Sequence, residues 1–186
     1  VIAPFPFYHY GGNLKTLTNS TLVGAFLVLS SVGMELFGLF TQHYLGFEPC
    51  ANCVQIRLFI LFIGIAGLLH LFSNDSYITK ISTLLLAIIS TYFSLQFSWD
   101  NHLIETGQKL SSCSSGSPFP DFLPLDLWLP EMFEAKGPCG TPATLYGDMT
   151  FTDLSIFGLS ILLTLITIIL VTNLFKLKGK TQNESK

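Results

Sequence analysis

The sequence predicts an all-α membrane protein: a four-transmembrane-helix bundle with a long extracytoplasmic loop that contains a short membrane-surface helix. Two features of composition and one of pattern carry that expectation. Charged residues make up 11% of the 186-residue chain, about half the globular share of roughly 25%. Mean hydropathy is +0.55. Four stretches, about 22–45, 54–72, 78–97 and 154–175, suit a hydrocarbon core that needs roughly 20 residues.

In chain order, the first fifteen residues carry Phe5, Phe7, Tyr8 and Tyr10 but lack the basic-then-apolar order of a cleavable signal peptide. The first span holds Glu35, a carboxylate where one is expensive. The second span is the shortest and holds near its start Arg57, the only arginine, which must lie near an interface or face protein. Short links join the first three spans, and a loop of more than fifty residues, about 98–153, precedes the fourth. Residues 1–186 are therefore expected to form one integral membrane domain.

Orientation follows from the basic residues. Lys15, Lys80, Lys176, Lys178, Lys180 and Lys186 flank one side of the spans, whereas Arg57, Lys109 and Lys136 lie on the other. The imbalance puts both termini in the cytoplasm and the long loop outside. A net charge of −3 without basic clusters argues against nucleic acid as a partner.

The chain has four cysteines, Cys50, Cys53, Cys113 and Cys139, all on the outer side in this topology. A helix starting near Ala51 puts Cys53 and Arg57 on one face, with Cys50 one turn earlier. A helix N-terminus and a guanidinium both favour thiolate over thiol. An even number of cysteines in an oxidising compartment suggests two bridges. Cys50 and Cys53 are close enough to pair locally, which leaves Cys113 with Cys139. A four-cysteine zinc site fits poorly, because the second pair is 26 residues apart. A bridge closing so small a loop as Cys50–Cys53 constrains little chain entropy and suits being opened and reclosed.

Within the loop, residues 119–133 read FPDFLPLDLWLPEMF, apolar but interrupted by Pro120, Pro124 and Pro130. Leu125, Trp128, Leu129, Met132 and Phe133 are expected to form one apolar stripe, with Asp126, Glu131 and Glu134 facing water. Such a segment lies on the membrane surface with Trp128 at headgroup depth, or else packs as a small core of the loop. Either arrangement holds Cys113 and Cys139 near Cys50 and Cys53. Ser111, Ser112, Ser114, Ser115 and Gly116 surround Cys113 with small, flexible residues, suited to presenting a bridge to another protein.

These residues resemble the DsbB family, the bacterial inner-membrane oxidases that recharge the periplasmic oxidant DsbA at the expense of quinone. The resemblance rests on Glu35, on QHYLGFEPCANCVQIR (42–57), on FLPLDLWLPEMFEAKGPC (122–139), on the placing of Cys113 and on the four-span layout. It implies a quinone cofactor, ubiquinone or menaquinone, and a DsbA-like periplasmic thioredoxin-fold protein as partner. It further implies that the partner attacks Cys113–Cys139 at Cys113 and that Cys139 then opens Cys50–Cys53. Cys53 passes electrons to the quinone, and Arg57 sits beside it.

The sequence departs from the family pattern in places. Ala51-Asn52 is more polar than the usual apolar pair, and the expected aromatic shortly after the last cysteine is missing, with Tyr146 or Phe151 as its substitute. With the long tail and the serine flank, these departures point to a DsbI-like paralogue serving a particular partner. Glu35 is a candidate for proton delivery to the quinone, and His43 and His102 are candidates for hydrogen bonds to its carbonyls. His70, near the inner face, has no role in this chemistry. Other readings compete. A membrane reductant needs intramembrane cysteines, which are lacking here, and a vitamin K epoxide reductase-like enzyme carries its CxxC late in the bundle. The third is a non-enzymatic four-span scaffold braced by structural disulfides.

Overall fold

The computed structural model describes residues 14–73, 77–110, 117–147 and 149–184. The N-terminal tail and the segment 111–116, with Cys113 and its serines, lie outside the described residues. The elements are α1 (Leu14–Tyr44), α2 (Ala51–Phe72), α3 (Tyr77–Glu105), α4 (Leu125–Trp128), α5 (Pro130–Phe133), β1 (Thr144–Tyr146), β2 (Met149–Thr150) and α6 (Phe151–Glu184). α1, α2, α3 and α6 are long and apolar enough to cross a membrane, and together they form the all-α four-helix bundle. α1 packs on α2, α2 on α3 and α3 on α6.

Small residues set the α1–α2 approach, as lipid-embedded helices require when no hydrophobic force separates protein from solvent. A side chain on Gly67 would meet Leu27 Cβ at 2.8 Å and the Val28 backbone nitrogen at 2.9 Å. The Ser31 hydroxyl donates to the Ile60 carbonyl at 2.7 Å, directly beside Gly64. Leu27, Ile63, Ala66, Leu84, Ala87, Leu162 and Ile166 fill the core between the helices. Gly67→Leu is therefore expected to destabilise the bundle by about 1–3 kcal/mol or more, the usual cost of overpacking. Thermal unfolding in detergent reads this, and an unchanged midpoint would show that the two helices do not meet there.

The helices outrun the apolar windows from which the spans were anticipated. α3 continues eight residues past Phe97 because its buried face does not end there: Ser98, Asn101 and Ile104 are all packed against protein. It stops at Gly107, whose φ of +71° and N–H bond to the Ile104 carbonyl (3.1 Å) form a left-handed C-terminal cap. α6 begins at Phe151, earlier than position 154, because Thr150 and Asp153 cap it reciprocally. Thr150 N–H donates to Asp153 Oδ2 at 3.1 Å, and Asp153 N–H donates to Thr150 Oγ1 at 3.2 Å.

The loop differs more from expectation. No continuous surface helix forms, because Pro130 breaks it: Leu129 leaves helical geometry (φ −137°, ψ 65°) and Pro130 starts a new single turn. The anticipated stripe divides. Phe133, 1% exposed, packs edge-on against Phe119 and against Val54, with Leu125 and Met132 around it. Trp128 and Leu129 point away and are exposed alongside Phe122 and Leu127. Asp126 does not simply face water, since its Oδ1 is buried without a hydrogen-bond partner among the described residues. A small hairpin, β1 antiparallel to β2, closes the loop before α6 and had no counterpart in the sequence expectation.

Candidate functional site

The tight alternation of turn and helix after Pro49 creates the site. Cys50 is the N-cap of α2 in extended geometry (φ −84°, ψ 172°), and Cys53 lies in the first helical turn. Their sulfurs are 2.8 Å apart, close together as the local pairing anticipated from the sequence requires. Cys50 is buried. The Cys53 thiol donating to its sulfur holds the Cys50 pKa below the ordinary thiol range, against the opposing effect of burial, and the N–H groups at the start of α2 add to the lowering. A lowered pKa means more thiolate at any given pH. Alkylation of reduced Cys50 by a small iodoacetamide is therefore expected to have its midpoint below pH 9.0. Removing the donor in Cys53→Ala should move that midpoint up, and an unmoved midpoint would exclude this cause.

One turn beyond Cys53, Arg57 is 8% exposed and has oxygen acceptors at both terminal nitrogens. Nη1 donates to Gln42 Oε1 (2.6 Å) and to the Met132 carbonyl (3.0 Å), and Nη2 donates to the Gly38 carbonyl (3.0 Å). The planar fork thus joins α1, α2 and the loop, a task for which a lysine is not shaped. Gln42 is itself oriented, because its Nε2 donates to the Glu131 carbonyl at 3.2 Å. The charge of Arg57 also reaches Cys53 and Glu35. Glu35 is 6% exposed, and neither carboxyl oxygen has a hydrogen-bond partner among the described residues.

Cys53 and Arg57 line a cavity of about 270 Å³. Met34, Phe37 and Gly38 of α1 form one wall; Phe151, Ser155 and Leu159 of α6 form the other. Phe37 and Phe151 stack across it with ring centroids 5.5 Å apart, so Phe151 contributes an aromatic ring to the site. The other candidates stand apart from the cavity. His43 is half exposed and 3.9 Å from Glu131, and His102 pairs with Asp153 at 2.9 Å. Glu35 is not in the lining, although its charge reaches Arg57. His70 is buried at the opposite end of the bundle, 2.8 Å from Thr83 Oγ1.

Several site residues escaped the sequence reasoning. Cys50 Sγ approaches Asn101 Oδ1 at 3.5 Å. Asn101 Nδ2 donates to Glu105 Oε1 and to Thr152 Oγ1, both at 2.9 Å, and Thr152 donates to the same Glu105 oxygen at 2.7 Å. Asn101, three residues past Ser98 on the buried face of α3, had a periodic signal available. Thr152 had none, since it reaches the site only through the packing of α6. On the loop side, Cys139 is disulfide-bonded, while Cys113 is outside the described residues.

A CxxC at the start of a membrane helix with its first cysteine buried, an arginine one turn on, and an apolar cavity lined by Cys53 and Arg57 define a membrane protein built for thiol–disulfide chemistry. The family model "Disulfide bond formation protein DsbB" matches residues 20–172, and the chain belongs to that family, a multi-pass protein of the bacterial inner membrane. It is 28% identical over 169 residues to disulfide bond formation protein B of Pasteurella multocida, covering 89% of this chain and 94% of that one. It is 31% identical to disulfide bond formation protein B 2 of Pseudomonas aeruginosa over 153 residues, 77% and 87% of the two chains. The protein of the same name from Idiomarina loihiensis is 30% identical over 124 residues, 66% and 68% of the two.

Proposed function

We propose that this disulfide bond formation protein is a thiol:quinone oxidoreductase that reoxidises a DsbA-like thioredoxin-fold protein. The observation that carries the reading is the sharing of one apolar cavity by the Cys53 sulfur and the Arg57 guanidinium. At about 270 Å³ the cavity approaches the lower end of ligand pockets, roughly 300 Å³. It suits a quinone ring, with the tail left to lipid alongside α1 and α6. A quinone, when bound, supplies a two-electron, two-proton acceptor.

The protein's own residues account for the remainder. The partner's thiolate opens a Cys113–Cys139 bridge at Cys113, and Cys139 leaves as thiolate. Cys139 attacks Cys50, the S–S bond to Cys53 breaks, and Cys53 leaves as thiolate with its charge near that of Arg57. Meanwhile the second thiol of the partner resolves the mixed disulfide and frees Cys113. Cys113 then recloses on Cys139, Cys50 is released, and the Cys50–Cys53 dithiol is reoxidised by giving up two electrons. Cys50 lies at the outer boundary of α2, where a loop on the periplasmic side can reach it, and the lysine distribution puts both termini in the cytoplasm. The whole chain acts as one integral membrane domain.

The test is quinone reduction by the purified protein, followed by absorbance, with a reduced DsbA-like protein as electron donor. Catalytic turnover with ubiquinone or menaquinone is expected. An absence of turnover with either quinone and any thioredoxin-fold donor would return the four-span scaffold to the front.

A further inference from the structure

The segment that carries Cys139 is fastened to the start of α2 at three places. Phe133 packs on Val54, the residue after Cys53. The Met132 carbonyl accepts from Arg57. Closest to the chemistry, the Pro49 carbonyl accepts two backbone N–H groups, from Lys136 and Gly137, each at 3.1 Å. Pro49 directly precedes Cys50, and Gly137 is two residues before Cys139. The approach leaves no room for a side chain at position 137: a Cβ there would collide with the Glu48 backbone carbonyl oxygen, an atom that cannot swing aside. Gly137 is not held at positive φ. Glycine is required here for closeness and not for backbone conformation.

We infer that Gly137 is a positioning residue for the internal disulfide exchange: its bare backbone lets the Cys139 arm dock on Pro49 and holds Cys139 within reach of Cys50. This deepens the function proposed above, since the exchange it serves is the step from Cys139 to Cys50. In that step the Cys139–Cys50 bond forms, the Cys50–Cys53 bond breaks and Cys53 leaves as thiolate. No electrons enter or leave the protein. Docking contributes by raising the effective concentration of one sulfur at the other, a purely geometric effect.

The effect is measurable without quinone or partner. In a protein carrying Cys53→Ser and Cys113→Ser, only Cys50 and Cys139 remain, and their bridging can be equilibrated against glutathione redox buffers. Alkylation and mass spectrometry then give the effective concentration of the pair. Gly137→Ala in this background is expected to lower it by roughly tenfold or more, because reach and orientation set effective concentration. Lys136→Pro removes one N–H from the Pro49 carbonyl and puts the ring Cδ where that hydrogen pointed, so it undoes the same docking from the neighbouring residue and should lower it as well. Gly33→Ala, whose Cβ meets nothing within 4 Å, serves as the control and should not change it. Effective concentrations within twofold of the parent in both Gly137→Ala and Lys136→Pro would overturn the inference. If Gly137→Ala does not fold, Lys136→Pro decides alone. In the otherwise intact protein, Gly137→Ala should slow turnover driven by a thioredoxin-fold donor while leaving quinone reduction by a small dithiol, which reaches Cys50–Cys53 directly, unchanged. Loss of both would point to a general defect instead. A normal effective concentration in a protein that never reduces quinone would count against the proposed function and the inference together. A lowered one in such a protein would sink the function alone.

Discussion

Cys53→Ser is expected to reduce quinone turnover to background, a fall of more than about 10³-fold, because a hydroxyl cannot form or give up a disulfide bond. The substitution exchanges one small atom in the first turn of α2, so the bundle should remain intact. What distinguishes this outcome from simple damage is the loop. A DsbA-like donor that keeps only its attacking cysteine should still open the loop disulfide of Cys53→Ser and be captured as a mixed disulfide, visible on a non-reducing gel, while quinone absorbance stays constant. Persisting turnover would mean that the acceptor takes its electrons elsewhere, and the cavity beside Cys53 would lose its assigned role.

The second large effect is expected at Arg57. Arg57→Met removes three hydrogen bonds at once and leaves Gln42 Oε1 and the carbonyls of Gly38 and Met132 without that donor. A hydrogen bond to a charged group contributes about 1.5–3 kcal/mol. Loss of one such interaction with a quinone oxygen alone should raise KM for quinone roughly 10–100-fold, at about 1.4 kcal/mol per factor of ten. Stability should fall too, since the fork ties α1 and α5 to α2. Arg57→Lys separates these contributions: it keeps the charge near Cys53 but cannot span three acceptors. Its stability is expected to lie between wild type and Arg57→Met, with KM closer to wild type. Equal behaviour of Lys and Arg at position 57 would show that charge alone matters and that the fork linking helix to loop is incidental.

Much of this site was legible because its parts are close in sequence. A helix start after Cys50, with Cys53 and Arg57 one turn apart, is a matter of local spacing, and the structure has both residues on one cavity. Gln42 was visible as part of the segment leading to the cysteines, but its task was not. Only packing reveals that its two amide ends hold Arg57 on one side and the Glu131 carbonyl on the other. His102 illustrates the converse. From sequence it was a polar residue at the right depth, and only the structure shows that Asp153 at the start of α6 pairs with one of its ring nitrogens, Nδ1. The loop stripe misled for a related reason. Helical periodicity groups Leu125, Trp128, Leu129, Met132 and Phe133, but Pro130 resets the phase and sends them in two directions.

By itself the sequence determined the four spans, because crossing hydrocarbon demands a length and composition that any window can display. It determined as well that a cysteine pair and an arginine share the start of the second helix, because helical phase is local. The cavity between α1 and α6, the network from Cys50 through Asn101 and Thr152 to Glu105, and the contact of Gly137 with Glu48 were decided only by the tertiary structure. Each joins residues some fifty or more positions apart, and their meeting depends on how small side chains let whole helices approach, which no local pattern records.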